Sequence, residues 1–304
     1  MRFSLELPTS RVDQPEAFVS VGAITEVTRA ARAAGFAAVN VTDHPAPDAG
    51  WLDHGGHHAL DPFVALGVAA AADPEVLVHT NVYIAAYRNP FLGAKSVHSL
   101  HVLSGGRLVL GVAAGYLGPE FAALGVEVEG RGALLDEALA VLDAVCGGAD
   151  VAWESGRARA RGVRFRPVPP SGRPPVWVGG NSPAARRRAA RYEGWAPFHT
   201  AGFARTSRTT AIESVEDLAA AIAEVRALAA EASGRREGFD VCWSAARASD
   251  PDASADERCA HLVELEGIGV TWTTVRLEAP DRPALLEEIE RFGREVIAEV
   301  GGET

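Results

Sequence analysis

Leu103-Ser104-Gly105-Gly106-Arg107-Leu108-Val109-Leu110-Gly111-Val112 contains the end of one element and most of the next. The Gly105-Gly106 pair stops the helical pattern that carries Leu100 and Leu103, because glycine accepts the left-handed backbone on which helices end. From Leu108 to Val112 the chain is almost continuously apolar. A strand buried on one face alternates, whereas one buried on both faces reads like this, as a parallel sheet covered by helices requires.

The same alternation extends in both directions. Strands are predicted at 2–7, 38–42, 76–83, 107–113, 175–179, 194–197, 239–243 and 270–275. Helices are predicted near 19–34, 61–72, 90–104, 131–147, 183–192, 214–233, 254–266 and 281–299. Asp61-Pro62, Asn89-Pro90 and Ser182-Pro183 each set an N-cap residue before a proline at the first helical position. Ser214 and Asp217 have capping-box spacing, and Gly35 stops the first helix. Eight strand–helix alternations with no linker predict one α/β domain over 1–304, a closed (β/α)8 TIM barrel with insertion segments. A doubly wound open sheet ranks below it, since no GxGxxG follows the first strand.

Two segments interrupt the rhythm. Residues 43–60 form a long Gly/His/Pro-rich loop after the second strand, where a barrel carries its site, and make a candidate substrate wall. Residues 148–174 precede the fifth strand, and Val151-Ala152-Trp153 with Val163-Arg164-Phe165 suggest a hairpin, either packed under the barrel or serving function.

A net charge of -11 argues against a protein that tracks nucleic-acid phosphates. No apolar run approaches the roughly 20 residues of a membrane span, and Met1 leads directly into the first strand, so a cytoplasmic protein is expected. Cys146, Cys242 and Cys259 form no CxxC and are expected as buried thiols. Lys95 is the only lysine and falls in a helix, which nearly excludes a Schiff-base aldolase with its strand lysine.

Candidate chemistry sits at strand ends. Asp43-His44 closes the second strand, where a carboxylate and an imidazole face a barrel's active side. The alternative is a turn cap with His44 packed on Pro45. Gly179-Gly180-Asn181-Ser182 joins a buried strand to a capped helix, a plausible phosphate cradle assisted by Arg186 or Arg187, or else an ordinary turn. Gly111-Val112-Ala113-Ala114-Gly115-Tyr116 offers room for a flat ring and a hydroxyl donor. Asp53-His54-Gly55-Gly56-His57-His58 raises the question of zinc, but no second ligand set matches it, and no metal is expected.

Taken together, Tyr87-Arg88-Asn89-Pro90, Ala94-Lys95 and the opening decapeptide resemble the luciferase-like monooxygenase superfamily. Gly115-Tyr116-Leu117, Glu120-Phe121, Leu124-Gly125-Val126, Arg131-Gly132 and Leu135-Asp136-Glu137 continue the resemblance, which lies nearest the deazaflavin-dependent oxidoreductases. It implies a barrel holding coenzyme F420, or alternatively FMN, at the strand C-termini. On that resemblance Asp43 contacts the ring, Thr80, Asn81 and Val82 support it across a non-proline cis peptide at Asn81-Val82, and Ala114 and Gly115 adjoin it. Gly179, Gly180, Asn181 and Ser182 bind the cofactor phosphate, with Gly194 and Trp195 closing over it. His44 is the first candidate for proton transfer and Tyr116 the second. Tyr116 stands where some sugar-phosphate-oxidising relatives carry a catalytic glutamate, which argues against that activity here. His101 and Glu193 replace residues common in the family and look structural.

The activity implied is F420-dependent hydride transfer to or from a small organic substrate, by a homodimer. Oxygen-dependent monooxygenation with reduced FMN is the alternative, and a non-catalytic flavin- or deazaflavin-binding protein is a third. Specificity is expected in 43–60 and 198–213, where Arg205 and Arg208 face a cofactor tail, a substrate carboxylate or only solvent.

Overall fold

Eight parallel strands close on themselves in the computed structural model, which describes residues 1–169, 171–200, 209–233 and 238–301. They are β1 (Arg2–Glu6), β2 (Ala38–Val41), β3 (Leu77–Ile84), β4 (Leu108–Ala113), β7 (Val176–Gly179), β8 (Gly194–Ala196), β9 (Asp240–Ser244) and β10 (Trp272–Val275). Each pairs with its neighbours in that order, and β10 returns to β1, with Leu5 opposite both Val39 and Val275. This is the (β/α)8 barrel expected from the alternation, with strand positions within two residues of those predicted.

The helices begin where the caps place them. The side chains of Asp61, Asn89 and Ser182 accept hydrogen bonds from backbone amides of the first turns of helices Pro62–Ala72, Pro90–Leu103 and Pro183–Ala189. Ser214 and Asp217 bond reciprocally at the start of helix Val215–Ser233. The decapeptide does more than punctuate. After the glycine stop, the Arg107 guanidinium donates to the carbonyls of Ser104, Ala70, Asp73 and Val76, tying two helix ends to the start of β3. Period-2 alternation then divides the core. Trp177, Trp272, Val109, Ala38, Cys242 and Ala196 pack inside the barrel, while Leu108, Leu110 and Val112 join the larger cluster beneath the helices.

The ladder between β3 and β4 breaks between Thr80 and Tyr83, and the Asn81–Val82 peptide there is cis. Gly111 lies against this bulge. A Cβ at Gly111 would stand 2.1 Å from the Thr80 carbonyl oxygen, so the close approach of the two strands requires glycine. The Thr80 hydroxyl donates to the Gly111 carbonyl at 2.7 Å and seals the contact.

Three expectations need correction. The 43–60 segment contains a one-turn helix, Ala49–Leu52, capped by Asp48. The 148–174 insertion is a hairpin of β5 (Val151–Ser155) and β6 (Ala158–Val163), whose second arm begins earlier than predicted. It lies along the barrel's flank rather than under it. Arg157 at its turn donates to the Ala86 carbonyl beyond β3, and farther along the insertion Pro167 and Ser171 bond His98 and His101 of helix Pro90–Leu103. Cys146 and Cys242 are buried, but Cys259 is half-buried. Among the described residues no helix is long and apolar enough to cross a membrane. Arg205 and Arg208 lie outside the described residues.

Candidate active site

The strand C-termini open on one cavity of about 540 Å³, a size suited to a small organic ligand. Asp43 and His44 enter it from the end of β2, and Asn81 and Val82 from the β3 bulge. Ala114, Gly115 and Tyr116 follow β4 into it, and Gly179, Gly180 and Ser182 enter from the end of β7. Thus ten of the residues expected from sequence meet at one place. Thr80, Asn181, Gly194 and Trp195 are not on its lining. Asn181 is fully buried. Its amide donates to the carbonyls of Phe198 and Thr210 and accepts from the Phe198 amide, so its side chain ties the loop after β8 to the turn after β7. The Trp195 indole donates to the Gly180 carbonyl at 2.8 Å. These residues shape the wall from behind, and both amide hydrogens of Asn181 are bonded to the chain itself.

His44 stands at one end of the cavity, backed by a carboxylate that is buried completely. Glu120 accepts from the Tyr87 hydroxyl at 2.7 Å and from the Ala46 amide at 3.0 Å, and its Oε2 lies 3.4 Å from His44 Nδ1. Burial raises the Glu120 pKa, but the bonds from His44, Tyr87 and Ala46 outweigh it and hold the group below the usual carboxylate range. The ionised carboxylate therefore receives the Nδ1 hydrogen of His44 and leaves Nε2 as the basic nitrogen. Burial, with Glu120 nearby, pushes the Tyr116 phenol up to about 12, so it stays a neutral donor near neutral pH.

Asp43 is clamped rather than free. Arg88 donates to both its oxygens, at 2.6 and 2.8 Å, and the Ile84 amide adds a third bond at 2.8 Å. Burial works against the Arg88 charge, but the bonds and charge of Asp43 overcome that and raise its pKa. The bidentate pair fixes the end of β2 against the residues that follow the β3 bulge.

The opposite end is positive. Gly180 has φ +111°, a conformation that favours glycine, and the Ser182 hydroxyl caps helix Pro183–Ala189. Two arginines line this end. Arg188 pairs with Asp136 through two nitrogens, at 2.7 and 2.8 Å. Arg131 donates only to the Val128 carbonyl at 3.3 Å, and among the described residues no carboxylate pairs with it. The arginines suggested by sequence do not take this part: Arg186 pairs with Glu224, and neither Arg186 nor Arg187 lines the cavity.

Sequence reading of roles missed Glu120, Tyr87, Arg88 and Arg131. Their signal was present, because all four fall within the stretches that carry the family resemblance. What gave them no role was the long sequence separation of their partners, 76 residues between His44 and Glu120 and 45 between Asp43 and Arg88. In the His-rich loop, His54 Nδ1 bonds the Gly50 carbonyl and His57 turns into the cavity. Among the described residues no three His, Cys, Asp or Glu side chains gather as a metal site. His101 bonds Ser171, and Glu193 accepts from Arg173 and the Val176 amide, so both are structural as expected.

Residues 1–273 match the family model described as luciferase-like monooxygenase. An uncharacterized protein of Mycobacterium tuberculosis is 26% identical over 310 residues, covering 95% of this chain and all of that one. An F420-dependent glucose-6-phosphate dehydrogenase of Beutenbergia cavernae is 35% identical over 167 residues, covering 53% of this chain and 47% of that enzyme. Among solved structures, the monooxygenase RslO1 of Streptomyces bottropensis superposes with a TM-score of 0.78 at 20% identity, over 98% of this chain and 99% of that one.

Proposed function

The chain belongs to the luciferase-like monooxygenase family, and on that premise we propose an oxidoreductase that uses coenzyme F420 for hydride transfer to or from a small organic substrate. The observation that supports this most is the two-ended cavity. A basic imidazole backed by a buried carboxylate occupies one end, and an arginine with no carboxylate partner among the described residues stands beside a glycine turn at the other. The similarity to an F420-dependent relative over about half the chain favours the deazaflavin over FMN.

The residues present fit such a cofactor. The floor between the two ends is built from Val82, Ala113, Ala114, Gly115 and Gly179, and a Cβ on Gly179 would already stand 3.3 Å from the Ala113 methyl. Small residues there leave room for a flat ring. Gly179, Gly180, Ser182 and Arg131 would hold its phosphate, with Asn81, Val82, Ala114 and Gly115 against the ring. Asp43, Thr80, Asn181 and Trp195 would support these contacts through the bonds described above, with Gly194, where a Cβ would stand 2.4 Å from the Trp177 ring, in the packed wall behind them. When bound, the cofactor supplies the carbon centre that accepts or donates the hydride. The chain's own part is to bind, to exclude water and to move a proton at His44 Nε2, with the Tyr116 hydroxyl as second donor. Asp136 neutralises Arg188 and leaves Arg131 to face the anion.

The test is a titration of the purified chain with F420 and with FMN, each oxidised and reduced. Micromolar or tighter F420 binding with FMN excluded supports the proposal. Preference for reduced FMN moves the enzyme to oxygen-dependent monooxygenation, the reading suggested by the family's own description. Tight binding with no turnover, unaltered by His44→Ala, identifies a binding protein instead. A homodimer is part of the proposal and is read by light scattering on the same sample.

A further inference from the structure

The His-rich loop contributes one side chain that the proposed function leaves unused. His57 lines the same cavity as His44, and their rings meet edge to face with centroids 4.9 Å apart. Trp51 holds both, at 4.5 Å from His44 and 5.4 Å from His57. The hydrogen-bond pattern assigns matching tautomers. His57 Nδ1 lies 3.1 Å from the His58 carbonyl, which only accepts, so Nδ1 carries the hydrogen. His44 Nδ1 faces Glu120, which also only accepts when ionised. Among the described residues neither Nε2 has a hydrogen-bond partner, so two bases share one pocket wall.

We propose that His44 and His57 form a one-proton pair, in which His57 takes the proton that His44 acquires and passes it toward solvent. The exchange is a plain proton transfer, from protonated His44 to neutral His57, by way of water or a substrate hydroxyl, because the two rings are not directly hydrogen-bonded. Two imidazolium rings at this separation repel, so the second proton is excluded while the first is held. Glu120 faces His44 from helix Gly118–Ala123 and favours its charge, and Tyr116 faces it from beyond β4. Burial lowers the His57 pKa, the bond to the His58 carbonyl works against it, and the charges of His44, Arg276 and His58 add to the lowering. The carboxylate 3.4 Å from His44 therefore makes that ring the resting place for the proton and His57 the transient one.

This deepens the role proposed for His44, but its test uses the chain without cofactor or substrate, so it stands or fails separately from the choice between F420 and FMN. Histidine ring signals are followed by NMR through a pH titration of the wild type, His44→Gln and His44→Phe. Because His44 takes the first proton, removing its charge at about 5 Å is expected to move the His57 midpoint up by about half a pH unit or more in both variants. The Phe variant preserves the contact with Trp51, so an equal shift in both separates charge from packing. An unchanged His57 midpoint in the folded Phe variant overturns the pair, leaving His57 as packing alone. Should the Gln variant fail to fold, the Phe variant decides the question in the same way.

Discussion

Replacing Glu120 by alanine tests the central network most directly. The side chain is completely buried and accepts two short bonds, from Tyr87 at 2.7 Å and Ala46 at 3.0 Å, and a longer one from His44 at 3.4 Å. A hydrogen bond to an ionised group contributes about 1.5–3 kcal/mol. Two such bonds give about 3–6 kcal/mol, overlapping the roughly 3–5 kcal/mol found when one partner of a buried charged pair is removed. The truncation also leaves the Tyr87 hydroxyl and the Ala46 amide without a partner. Glu120→Gln keeps the volume and one acceptor, so its cost is expected near 1–2 kcal/mol. The assay is equilibrium urea unfolding at pH 7.5, with the midpoints of the two variants compared at a common slope. The pH dependence has a definite sign. Because the folded pKa of Glu120 is lowered, its stabilisation is present above the ordinary carboxylate value of 4.5 and is lost as pH falls through the folded value. The gap between wild type and Glu120→Ala should therefore narrow in acid. A cost for Glu120→Ala below about 1 kcal/mol, or equal costs for the two variants, refutes the reasoning.

Other consequences are equally concrete. His79 is fully buried, and desolvation holds its pKa down to about 3 against 6.5 when exposed, so its share of stability is complete above pH 6.5 and falls as pH drops toward 3. At pH 5 the loss from this site is about 2 kcal/mol. Unfolding of His79→Gln at pH 5 should take up about one proton fewer than the wild type, measurable from the slope of stability against pH. Arg131→Ala should weaken F420 binding about 10- to 100-fold in a fluorescence titration while leaving the urea midpoint nearly unchanged, since its one bond is long and to a backbone carbonyl. Gly111→Ala places a methyl 2.1 Å from the Thr80 carbonyl and should cost about 3 kcal/mol or more, read by thermal unfolding. An unaltered melting temperature would show that the β3 bulge relaxes freely.

The barrel was legible in the chain because each of its signals is local. Apolar runs such as Leu108–Val112, caps such as Asn89 and glycine stops such as Gly105 act within a few residues, and their order alone specifies eight strand–helix units. The positions of His44, Tyr116 and the Gly179–Ser182 turn followed from the same order, because a barrel brings strand C-termini together whatever lies between them. The tertiary structure decided how those residues are occupied. Asp43 is expected as a ring contact on the resemblance, yet its oxygens are held by Arg88 and Ile84, and the side chain of Asn181 is spent on Phe198 and Thr210. Glu120 emerged as the partner of His44, and His57 alone of the three loop histidines lines the cavity. No local pattern encodes these pairings. Each joins a loop to a distant element, and a buried charge takes whichever opposite charge or donor the closed barrel delivers to it.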